Sequence, residues 1–88
     1  MRLGTEARTS MQIQIFRGTG RVFAVIEEGS KVALPERYGP WMAFKTLELV
    51  RGQQQPGLHV EECLDDIARF GIHVTDTHTR ITEEAIGS

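Results

Sequence analysis

The chain has 88 residues, one cysteine and a formal net charge of −2. A chain this short buries only about 60% of its unfolded surface, which excludes an interdomain catalytic cleft, a dinucleotide-binding fold and a barrel enzyme. Cys63 has no partner for an intrachain disulfide, and 40% hydrophobic with 25% charged residues is the composition of a globular domain.

No apolar run approaches the roughly 18 residues needed to cross a bilayer. No charged-then-apolar signal opens the chain, and a lone thiol suits a reducing compartment. The expected location is cytoplasmic. The charge is divided unevenly. Between Met11 and Val60, Arg17, Arg21, Lys31, Arg37, Lys45 and Arg51 stand against Glu27, Glu28, Glu36 and Glu48, a net +2. Between Glu61 and Ile86, seven acidic residues face Arg69 and Arg80, a net −5. Such a split can steer association, but it is weaker than the basic field of a nucleic-acid-binding domain.

Residues 1–10 are polar and without period, and read as a flexible leader; Gly87-Ser88 read as a cloning remnant. The folding unit is then residues 11–86. Gln12 to Phe16 alternates polar and apolar, which predicts a half-buried strand. Gly18 and Gly20 supply turn conformations, and Val22 to Ile26 is β-branched and aromatic, so the two runs form a hairpin. Val32 to Pro40 carries Pro35, Gly39 and Pro40 and reads as a loop.

Trp41 to Val50 is ambiguous. Pro40 and Gly52 suit the two ends of a helix, whereas Lys45, Leu47 and Leu49 alternate with Thr46 and Glu48. A strand over 43–50 is favoured, because a lone hairpin is marginal and a third strand gives it a face to bury. Val60 to Phe70 predicts a helix with Val60, Leu64, Ile67 and Ala68 on one face. Glu61 and Glu62 lie in its first turn, Asp65 and Arg69 are an i, i+4 pair, and Gly71 closes it with Ile72 packing back on Ile67. Ile72 to Thr75 and Arg80-Ile81 read as strand, and Thr82 to Ile86 as a terminal helical turn with Thr82 as its N-cap. The order β-β-β-α-β predicts an α+β fold: a small antiparallel sheet of three or four strands packed against one main helix at residues 60–70.

The runs Tyr38-Gly-Pro-Trp41, Phe44-Lys-Thr-Leu-Glu-Leu49, Val60-Glu-Glu-Cys-Leu-Asp-Asp-Ile67, Gly71-Ile-His-Val-Thr-Asp76 and Arg80-Ile-Thr-Glu83 resemble a group of small hypothetical bacterial proteins. The resemblance spans about residues 11–86 and implies no catalytic residue, ligand or partner.

Five constellations bear on chemistry. His59, Cys63, His73 and His78, with Asp76, are residue types that zinc accepts, but their spacing matches no finger or ribbon. Cys63 as a nucleophile requires an electropositive setting, whereas Glu62, Asp65 and Asp66 surround it in sequence. Asp76 with His78 is a carboxylate–imidazole pair; the plainer reading is a turn around Asp76. The adjacent acids Asp65 and Asp66 cannot share a helix face and are expected at the solvated surface. Arg17 to Arg21 is glycine-rich, but a strand follows where a phosphate loop needs a helix.

Arg37, Tyr38, Trp41, Lys45 and Arg51, with Phe44, interleave aromatics and cations. That pattern serves protein hot spots or stacked single-stranded bases, and Trp41 and Phe44 equally suit the core. The expected function is a non-catalytic cytosolic interaction module with no cofactor. It would bind a protein partner or a second copy through Arg37–Arg51 or an open sheet edge. The competing class is a metal- or single-stranded nucleic-acid-binding protein.

Overall fold

A computed structural model describes residues 10–77 and 79–86. Residues 1–9 of the leader expected over 1–10, His78, and residues 87–88, expected as a remnant, lie outside the described residues. Ser10, assigned to the leader, already belongs to the first strand.

The chain runs β1 (Ser10–Arg17), β2 (Val22–Glu27), a 3-10 turn (Glu36–Tyr38), β3 (Met42–Val50), α1 (Val60–Phe70), β4 (His73–Asp76), β5 (Thr79–Arg80) and α2 (Thr82–Ile86). The fold is α+β, as expected, with a five-stranded sheet in the order β3-β1-β2-β4-β5. Pairing is antiparallel throughout. The three or four strands expected become five because the chain reverses after Asp76, so the run at Arg80 pairs back on β4 as a separate strand rather than continuing it. The ambiguity over Trp41 to Val50 is resolved as strand: β3 pairs with the whole length of β1.

The alternation in β1 sorts its side chains cleanly. Met11, Ile13 and Ile15 are buried on one face with Val25, Leu49 and the α1 residues Val60, Cys63, Leu64 and Ile67. The opposite face is covered as well. Val22, Ala24, Ile26 and Val74 pack there with Ile72 and Ala85, beneath Val32, Leu34, Tyr38 and Trp41 of the long loop. The sheet is therefore buried on both faces, by a helix on one and by a loop and α2 on the other.

The loop is tied down at the β1–β2 turn. Thr19 donates its backbone N–H to Tyr38 O at 2.8 Å, and the Trp41 indole donates to Pro35 O at 2.9 Å. Gly18 permits this closeness, because a Cβ there would meet Tyr38 O at 2.4 Å and Trp41 Cζ3 at 2.9 Å.

Three local readings are corrected. Ala68 is exposed; the buried stripe of α1 runs through Cys63 and Asp66 instead. Asp65 pairs with Arg51 across to the β3–α1 loop at 3.1 Å rather than with Arg69, whose guanidinium lies over Phe70 at 5.2 Å. Gly71 does close α1 in the left-handed region, at φ 82°, with its N–H on Ile67 O at 2.9 Å, but Ile72 packs into the opposite core from Ile67.

Candidate functional site

The residues singled out from the sequence do not gather at one place. Tyr38 and Trp41 are half-buried and serve as the lid of the loop-side core. Arg37 donates through Nη2 to Glu84 O at 3.2 Å, tying the 3-10 turn to α2. Arg51 is clamped to α1 through Glu61 Oε1 at 2.6 Å and Asp65 Oδ1 at 3.1 Å, and Glu61 also accepts the Gly52 N–H at 2.8 Å. These four residues hold elements together. Lys45 stands exposed on β3.

The proposed metal ligands are likewise dispersed. His59 is exposed and offers its backbone carbonyl to the Cys63 N–H at 2.9 Å. Cys63 is buried in the helix-side core, and burial, with Asp66 second, pushes its thiol up to about 12. At neutral pH it is a protonated apolar side chain, which removes it as a nucleophile. Among the described residues no three His, Cys, Asp or Glu side chains could hold a metal ion. Asp76 is exposed at the end of β4, and its proposed partner His78 lies outside the described residues.

The structure builds a polar cluster that the sequence reading missed. Asp66, expected at the surface, is 1% exposed, and His73 beneath it on β4 is 2% exposed. His73 Nδ1 donates to Asp66 Oδ2 at 2.8 Å. Arg80 grips both oxygens, Nε on Oδ2 at 2.9 Å and Nη2 on Oδ1 at 2.7 Å. Burial alone would raise the Asp66 pKa; hydrogen bonds from Arg80, then His73 and Thr82, outweigh it and hold the carboxyl below its usual range. Thr82 is the first helical residue of α2 rather than an N-cap. Its hydroxyl turns inward, accepting the Val74 N–H at 2.6 Å and donating to Val74 O at 3.2 Å. The cluster thus fastens α1, β4, β5 and α2 together.

Two features face outward. The first is the edge of the sheet. Among the described residues, nine-residue β3 pairs only with β1, and it has exposed side chains from Met42 to Thr46 and at Glu48. Met42 is 70% and Phe44 49% exposed. Phe44 sits at a bulge, where the β1–β3 register shifts between Ile15 and Phe16. The second feature is a cleft of about 250 Å³ beside α1, walled by Ile15, Phe23, Phe44, Leu47, Leu58 and Thr75. The Phe23 and Phe44 rings lie 5.9 Å apart, tilted by 55°.

Comparison of the chain with family models, curated proteins and solved structures returns no match. Among the described residues no helix is long and apolar enough to cross a membrane.

Proposed function

We propose that the chain is a non-catalytic protein-interaction module of the cytosol that joins a second copy of itself by extending the sheet along β3. The observation that carries this reading is the length of the open edge. A nine-residue strand leaves a row of backbone donors and acceptors available on its outer side. Natural sheet edges are normally short, covered or heavily charged, whereas β3 is nine residues long with only Lys45 and Glu48 as charged residues.

Register supports self-pairing. A two-fold axis through the sheet sets residues of the same face opposite each other. Centred on Leu47, it places Leu47 against Leu47 and Thr46 against Glu48 of the second copy, with no like charges opposed. The titratable groups elsewhere favour binding over chemistry: Cys63 is protonated and buried, and the Asp66–His73 pair is sealed under α1.

Sedimentation equilibrium tests the reading. A concentration-dependent dimer is expected. Thr46→Glu opposes two carboxylate pairs across the axis and should weaken the dimer about three- to tenfold, whereas Thr46→Lys should tighten it. Thr46 is exposed, so both variants should keep the native fold. A monomer at every concentration, or equal effects of the two substitutions, contradicts it. Binding of short single strands with a steep salt dependence would favour the nucleic-acid reading of Arg37, Tyr38, Trp41, Phe44, Lys45 and Arg51 instead.

A further inference from the structure

We infer that the cleft on the α1 face is a binding site for a small amphipathic carboxylate, an apolar body of side-chain size carrying a single anionic group. This goes beyond self-association, since the cleft lies across the face of the sheet rather than along its edge.

The walls set the body of the ligand. Ile15, Phe23 and Leu47 come from three adjacent strands, and Leu58 closes the side nearest α1. The Thr75 hydroxyl already donates to Thr79 O at 2.8 Å, so it offers the cleft little donor capacity. An occupant is therefore held mainly by apolar contact. At about 250 Å³ the space falls below the roughly 300–1,000 Å³ of drug-sized sites. A phenyl or short alkyl group fits that scale.

The rim sets the charge. The Arg17 guanidinium lies 5.8 Å from the Phe23 ring centre and 5.3 Å from that of Phe44. Lys45 Nζ lies 5.6 Å from the Phe44 ring. Among the described residues no Asp or Glu lines the cleft, and neither cation makes an ion pair. Arg51 and Arg80, by contrast, are both consumed by carboxylates. Lys45 in the lining and Arg17 over the Phe23 and Phe44 rings, with no acid among the described lining residues, set positive charge beside an apolar floor. A carboxylate there meets both while its body displaces water from the rings.

Three isosteric probes test the assignment: 4-phenylbutanoate, 4-phenylbutan-1-ol and 4-phenylbutylammonium, each titrated to millimolar concentration against the full chain by amide NMR. The carboxylate is expected to shift resonances of Ile15, Phe23, Phe44, Leu47, Leu58 and Thr75, and to bind about fivefold tighter than the alcohol. Arg17→Gln with Lys45→Gln should abolish that preference, so that carboxylate and alcohol bind this variant equally. Thr46→Glu should leave carboxylate binding intact, which separates this site from the dimer contact. Equal binding of the three probes, shifts confined to other residues, or no shifts at all would overturn the assignment. Binding only of a longer acidic peptide, with the free acid inert, would also overturn it.

Discussion

Asp66 on α1 and His73 on β4 meet at 2.8 Å between helix and sheet, both almost wholly withdrawn from solvent. Arg80 supplies a bidentate partner from β5, so the buried carboxylate is compensated from two strands. A buried charge removed from such a set leaves its partners uncompensated. The pair therefore ties α1 to the sheet through β4.

Asp66→Asn is expected to destabilise the fold by about 3 kcal/mol, read from urea denaturation at neutral pH. The acid limb should change too. The native carboxyl titrates below its unfolded value of about 3.9. Its contribution is thus complete above that pH and disappears as pH falls through the native value. The wild type should lose stability over this range more steeply than the Asn variant. Parallel pH profiles would refute the assignment.

Thr82→Val removes the hydroxyl that accepts the Val74 N–H, while the Val74 carbonyl keeps the Ile81 N–H at 2.8 Å. Leaving that buried amide unpaired should cost about 1–3 kcal/mol, whereas Thr82→Ser should lie close to wild type. Thermal denaturation of the two variants measures the difference, and equal losses would mean that the methyl, not the hydroxyl, matters.

Cys63 should resist a thiol reagent at pH 8 in the native state, because its thiol is buried and titrates at about 12. Its labelling rate should rise with urea in step with global unfolding. Rapid labelling without denaturant would place the sulfur at the surface.

Much of this fold is legible in the sequence. The alternation of β1, the hairpin glycines and the bounds of α1 are local signals, and the structure follows them closely. What escapes is non-local. The i, i+3 step from Cys63 already places Asp66 on the buried stripe, but its partners His73 and Arg80 lie across a turn and a strand. Only the antiparallel β4–β5 return brings Arg80 back over α1. The surroundings of Arg51 and Trp41 are non-local in the same way. Cations and aromatics that look like contact residues along the chain are spent on Glu61, Asp65 and Pro35 once it folds. The open edge of β3 was foreseen only as a possibility of the architecture. The order of strands, which makes β3 an edge, is set by pairings more than thirty residues apart, such as Ile13 with Leu47.

Self-pairing along β3 is tested most directly by isotope-filtered NOEs in an equimolar mixture of ¹³C-labelled and unlabelled chains. The account expects intermolecular contacts between Leu47 methyl groups and between Thr46 and Glu48 of the two copies. A dimer whose intermolecular contacts fall elsewhere, or a mixture showing none at concentrations up to the millimolar range, would contradict it.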